Sequence, residues 1–227
     1  MKTKIVTDQY PLFLPESLTP RSKGVHVSSI IRCIAIETGI LSTQNQDDLS
    51  LSDVRTITDE DAILRINIGL AWEEHYIGQI LSRYGVIDHP GEMQYDGVYL
   101  SHDGEDLSVI LTVPVLQYGP RVHEVKATYK STKTVGDLSS QWMWITQMKA
   151  YCIARGCTTA FLHALFLCGN YVAPIRPVLK IWELEFTQRE LDENWELLSQ
   201  YKKERMEIES RVSVSMLPQL NSPEIVE

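Results

Sequence analysis

The run from Glu92 to Tyr151 carries the side chains best suited to chemistry. Asp96 lies in Met93-Gln94-Tyr95-Asp96-Gly97-Val98; His123-Glu124-Val125-Lys126 and Gln147-Met148-Lys149-Ala150-Tyr151 follow. An aspartate, a Glu-x-Lys and a Gln-x-x-x-Tyr in this order suit phosphodiester cleavage assisted by a divalent cation. Asp96 and Glu124 would supply carboxylates to the cation, and the carbonyl of Val125 a third oxygen. Mg²⁺ takes oxygen ligands and keeps waters of its own, so few protein ligands suffice. Lys126 would orient the attacking water or offset charge building on the phosphate, while Gln147 and Tyr151 steady the substrate.

These residues need elements that hold them together. Side chains alternate along a strand, so in Arg121 to Thr128 the residues Val122, Glu124 and Lys126 share one face. That strand is expected to be the third of a meander, after Tyr95 to Leu100 and Leu107 to Leu116. Ser101 to Glu105, with its Asp-Gly pair, reads as a tight turn, and Gln117 to Pro120 as another. Pro114 marks an edge or a bulge. A helix follows from Gly136-Asp137, Asp137 its cap, to Gly156, and it stacks Gln147 over Tyr151 on one face. Thr158 to Cys168 reads as a central strand and Val178 to Phe186 as another, before a charged helix over Thr187 to Arg211.

Upstream, His26 to Glu37 suits a short helix with Ser28 and Ser29 as caps. A second helix starts at Thr58 and Asp61, with apolar residues recurring at Ile63, Ile66, Leu70, Ile77 and Leu81. Glu73 falls on that apolar stripe, where a carboxylate is costly unless it is paired or binds a metal. It is either an edge residue with a basic partner or a further metal ligand. The expected architecture is α+β, a mixed central sheet flanked by helices. Residues 1–57 form an arm with a short helix, 58–186 the core, and 187–227 a C-terminal helix and tail.

Composition narrows the function classes. The 227 residues, 44% of them hydrophobic, suit one domain. No apolar run approaches a membrane span, and Met1 to Tyr10 lacks the apolar centre of a signal peptide, so a cytoplasmic protein without a membrane partner is expected. The net charge of −9 argues mildly against nucleic acid as a partner. Its distribution does not: Pro120 to Arg155 holds six basic and two acidic residues, whereas Glu183 to Arg211 holds nine acidic and five basic. Lys130, Ser131, Thr132 and Lys133 form a polar loop able to grip phosphates or simply solvated. Trp142 and Trp144 could stack on bases or pack a helix. His26, His89, His102, His123 and His163 show no zinc-ligand spacing with cysteine.

Gly69-Leu70-Ala71-Trp72-Glu73, Asp96-Gly97-Val98, His123 to Thr128 and Gln147 to Cys152 together resemble the PD-(D/E)XK nuclease superfamily. They are most like its RecB-like branch, which includes bacteriophage exonucleases and CRISPR-adaptation nucleases. The resemblance spans roughly Ile66 to Gly169. It implies a restriction-endonuclease-like αβββαβ core and Mg²⁺- or Mn²⁺-dependent cleavage of DNA, within phage or prokaryotic DNA processing, recombination or degradation. If the chain is phage-encoded, it works in the host cytoplasm. The resemblance also implies metal ligation by Glu73, Asp96 and Glu124, the lysine role for Lys126, and the Gln-x-x-x-Tyr role for Gln147 and Tyr151. Tyr95 stands where the superfamily usually has proline. Some relatives carry an iron–sulfur cluster. Cys33, Cys152, Cys157 and Cys168 match its count but not the close spacing of cluster ligands, so none is expected. A homo-oligomer or a protein partner is compatible with this reading. The competing class is a non-cleaving DNA- or protein-binding module on the same fold.

Overall fold

The structure is a computed structural model that describes residues 24–42, 60–88, 91–112 and 115–215. Its centre is a five-stranded mixed sheet in the order β1-β4-β5-β6-β7. These strands are β1 (Ile87–Asp88), β4 (Gly104–Thr112), β5 (Val115–Thr128), β6 (Thr159–Phe166) and β7 (Val178–Glu185). A separate hairpin of β2 (Met93–Tyr95) and β3 (Val98–Leu100) is inserted before β4. The helices are α1 (Val27–Glu37), α2 (Glu60–His75), α3 (Trp142–Arg155) and α4 (Gln188–Ser215). In chain order, α2, β1, β4, β5, α3 and β6 form an αβββαβ core. The α+β, restriction-endonuclease-like architecture is therefore present.

Three elements differ from expectation. The first strand of the core meander is the short β1, and Tyr95 to Leu100 belongs to the inserted hairpin instead. Gln117 to Pro120 is not a turn but strand, paired with Leu107 to Ile110. β6 joins β5 only from Val122 onward, so Pro120, which has no N–H, sits where the strand has one neighbour in register. Pro114 and Thr58 lie outside the described residues. Asp137 caps a short 3₁₀ turn (Leu138–Ser140), its carboxylate accepting the Ser139 N–H at 3.0 Å, and α3 starts later, at Trp142.

Each face of the sheet has its own core. Val122, Ala160, Leu162, Ala164 and Phe166 pack with Met148, Ala150 and Tyr151 of α3, with α1, and with Leu191, Trp195 and Leu198 of α4. Across the sheet, α2 runs on into a π-helical turn (Tyr76–Ile80) and a 3₁₀ turn (Leu81–Tyr84). There Tyr76, Ile77, Leu81 and Val86 pack on Val125. β5 is thus sandwiched, with Val122 facing α3 and Val125 facing α2, as a period of two requires.

Candidate active site

β4 begins at Gly104, opposite His123 of β5. Beyond that pair β5 runs on to Thr128 beside β6 alone, so the sheet has a notch along Glu124 to Thr128. Asp103, the residue before β4, stands at the mouth of the notch. Its Oδ2 accepts the Val125 N–H at 2.6 Å. The N–H and C=O of a strand residue face the same neighbour, so the Val125 carbonyl also opens toward the notch.

Glu124 and Lys126 share the α3 face, as the strand period requires. Lys126 Nζ donates to Glu124 Oε1 at 2.6 Å and to Gln147 Oε1 at 3.2 Å. Gln147 in turn donates from Nε2 to the Tyr151 hydroxyl, which places four sequence-expected residues in one hydrogen-bonded line. Glu124 is 4% exposed, and its second oxygen, Oε2, is buried without a hydrogen-bond partner. Burial, and then the charges of Glu124 and Glu73, raise the Asp103 carboxyl well above the ordinary aspartate value. Burial works against the Lys126 ammonium, but Glu124, Asp103 and Glu73 outweigh it and raise its pKa. Glu73, near the end of α2, thus belongs to the same electrostatic cluster.

Asp96 does not. It and Gly97, at φ 47° and 69°, form the two-residue turn between the paired Tyr95 and Val98. Two positive φ angles in such a loop are those of a type I′ hairpin, which Asp-Gly suits. The exposed Asp96 faces α4: its carboxylate lies 3.4 Å from Ser199 Oγ, and its carbonyl accepts from Lys202 Nζ at 2.7 Å. The aspartate that the fold brings to Glu124 is Asp103, from the second Asp-Gly pair, where a turn was expected. A signal was present in the sequence. Met93, Tyr95, Val98 and Leu100 alternate around Asp96-Gly97, the pattern of a complete small hairpin.

Neighbouring contacts hold the cluster. A Cβ on Gly104 would come within 2.7 Å of Val86 Cγ1, so glycine lets β4 lie close to the start of β1. Glu105, buried, accepts from Arg155 at the end of α3 and pairs with His102 Nε2 at 3.1 Å. On the opposite face Tyr76, His163 and His123 form a buried chain, with Tyr76 Oη to His163 Nδ1 at 3.2 Å and His163 Nε2 to His123 Nδ1 at 3.0 Å. Trp142 and Trp144 pack against the core.

The donor set fits a hard divalent cation. It offers a spare buried carboxylate oxygen on Glu124, an inward carboxylate on Asp103 destabilised by its neighbours, and an open carbonyl. Among the described residues, no three His, Cys, Asp or Glu side chains close into a ready-made metal cage. Mg²⁺ asks for less, since it binds through one or two carboxylates and keeps several waters.

The fold and this notch define a restriction-endonuclease-like α+β protein. No family pattern and no curated protein matches the sequence. Among solved structures, an alkaline exonuclease from Laribacter hongkongensis has the same fold, with TM-score 0.50 at 13% identity over 86% of this chain and 95% of that one. The same exonuclease in complex with dAMP gives TM-score 0.48 at 14% identity over 86% and 95%. A phage-related exonuclease from Haemophilus somnus 129PT gives 0.46 at 11% over 83% and 96%. At 13% identity the likeness to the Laribacter exonuclease is one of fold. No helix of the described residues is long and apolar enough to cross a membrane.

Proposed function

We propose that this protein is a divalent-metal-dependent deoxyribonuclease of the RecB-like branch, acting from DNA ends in phage or prokaryotic DNA processing. The observation that carries the reading is the notch itself: Asp103, Glu124 and the Val125 carbonyl at its floor, with Lys126 held beside them by Gln147. Asp103, Glu124 and the Val125 carbonyl would hold Mg²⁺ or Mn²⁺, and Glu73 would bind through water. The cation supplies Lewis acidity, acidifying water and offsetting phosphate charge. Lys126 then aims its ammonium at the water or at the phosphate oxygen that gains charge. Gln147, fixed by Tyr151, limits the arc through which Lys126 can swing.

The test is cleavage of linear and closed-circular DNA by the purified protein in EDTA, Mg²⁺ or Mn²⁺. Metal-dependent loss of linear DNA with circles spared is the expected result. DNA that is bound but never cut, in any of these metals, would establish the non-cleaving module instead.

A further inference from the structure

Past Lys126, the end of β5 forms one wall of a cavity of about 280 Å³. Arg65 of α2, Ala127, Thr128, Tyr129, Lys130 and Leu167 line it. We infer that this cavity is a second phosphate subsite, holding a backbone phosphate of the DNA strand a few nucleotides from the bond being cut. This rests on the nuclease reading above and adds to it a strand path and two residues with no place in the catalytic notch.

Charge is the first ground. The chain carries a net charge of −9, yet the charged side chains lining this cavity are one arginine and one lysine. Among the described residues neither forms an ion pair. Each cation is instead placed by an aromatic ring. The Arg65 guanidinium lies 5.6 Å from the Tyr129 ring centroid, and Lys130 Nζ 5.1 Å from that of Trp144. Gln141 Oε1 accepts from Lys130 Nζ at 2.7 Å. Rings and an amide orient a cation without neutralising it, so the charge remains for an anion. Partial burial also lowers the Lys130 pKa, a cost that a bound phosphate would offset.

The second ground is that the wall is fixed. The Leu167 N–H donates to the Thr128 carbonyl at 3.0 Å, and the Thr132 N–H to the Gly169 carbonyl at 2.9 Å. The Tyr171 hydroxyl donates to the Tyr129 carbonyl. The polar loop after β5 is therefore tied to the end of β6. An arginine fork beside that fixed wall suits phosphate, which it can contact through two N–H groups.

The third ground is distance. Thr128 and Tyr129 follow Lys126 by two and three residues, roughly 7–10 Å at about 3.3 Å per strand residue. One strand of a DNA duplex advances about 3.4 Å per nucleotide, so a strand crossing Lys126 reaches the cavity within a few phosphates. The cavity lies at the small end of ligand sites, large enough for a phosphate and part of one nucleotide.

The test measures binding of a fluorescein-labelled linear duplex to the full chain across a salt series, in Ca²⁺, with the duplex checked for integrity. Arg65→Gln and Lys130→Gln should each weaken binding several-fold at low salt. The double variant should lower the slope of log Kd against log salt by about 0.7–0.9, the value of one phosphate contact. Each single variant should lose only part of that slope, because the remaining cation still faces the same phosphate. Lys203→Gln, on α4, should change neither affinity nor slope. Inorganic phosphate should compete with the duplex better than chloride at matched ionic strength, and Arg65→Gln and Lys130→Gln should reduce that advantage. Wild-type affinity and slope in both variants would overturn the subsite while leaving metal-dependent cleavage by the wild type intact. Inorganic phosphate that binds the cavity without displacing the duplex would make it a free-phosphate site and overturn the strand assignment. A wild type that neither binds nor cuts DNA removes this inference together with the nuclease reading.

Discussion

Asp103 and Asp96 differ by seven positions and are each followed by glycine, yet the fold gives them unrelated tasks. Asp103 accepts a β5 backbone N–H beside Glu124, and Asp96 turns a hairpin against α4. Asparagine keeps the acceptor oxygen of Asp103 but removes the charge. Asp103→Asn should therefore cut cleavage by about 10²-fold or more, as loss of a metal carboxylate does, while raising the melting temperature of the metal-free protein by relieving repulsion with Glu124 and Glu73. Asp96→Asn should leave cleavage within about two-fold. Equal losses in the two variants, measured by single-turnover assay, would contradict the assignment. Lys126 offers a second check at this scale. Its ammonium is bonded to Glu124 and Gln147 inside the notch rather than set on an outer surface. Lys126→Ala should lower the single-turnover rate at saturating enzyme by about 10²-fold and change DNA affinity much less, with arginine failing to restore the rate because its planar fork needs more room. Near-normal turnover would remove the lysine from the mechanism.

At the scale of elements, the notch exists because β4 stops short of the end of β5. Gly104 is the β4 residue at that point, paired with His123. Its backbone packs against Val86, where any side chain would sit 2.7 Å from Val86 Cγ1. Gly104→Ala must push β4 and β1 apart, and Asp103 would move with them. The expected cost is about 1–3 kcal/mol of stability, typical of overpacking a filled interior. The Asp103–Val125 bond should loosen with it, so metal affinity should fall as well. Urea unfolding with and without Mg²⁺ measures both. A variant with wild-type midpoints in the two conditions would show that the β1–β4 contact does not set the site. Arg155 works from the other side. By bonding Glu105 it ties the end of α3, the helix carrying Gln147 and Tyr151, to the strand that Asp103 leads.

Over the whole molecule, two systems titrate in opposite senses. Burial, then His123, pushes the His163 pKa down to about 4. A histidine depressed in the folded state contributes stability that is present above its unfolded value of about 6.5 and lost as pH falls through the folded value. The gap corresponds to roughly 3 kcal/mol, so stability should drop between about pH 6.5 and 4. In His163→Gln that acid-linked loss should shrink, and an unchanged pH profile by chemical denaturation would count against it. Asp103, raised instead, contributes stability present below aspartate's ordinary value of about 3.9 and lost as pH rises through its folded value. A dication held in the notch as proposed would offset that repulsion. The melting-temperature gain from Mg²⁺ should accordingly be larger at pH 8 than at pH 5, and a gain independent of pH would argue that the metal binds elsewhere.

The sequence by itself determined whatever depends on neighbours along the chain. Glu124 and Lys126 share a face because strand side chains alternate, and Gln147 meets Tyr151 because helix positions four apart stack. The helix carrying Gln147 and Tyr151, its Gly156 stop at φ 68° and β6 as an interior strand are local in the same sense, and all are present. Which Asp-Gly pair stands opposite Glu124 was not local. That choice depends on the pairing of Gly104 with His123, nineteen residues away, and of Ile87 with Glu105. A two-residue turn and a strand start look alike until a partner strand is aligned against them. The same holds for the bend expected at Gln117 to Pro120, which β4 draws out straight, and for the meeting of Arg65 with Tyr129. Non-local pairing sets each of these, and only the folded sheet contains it.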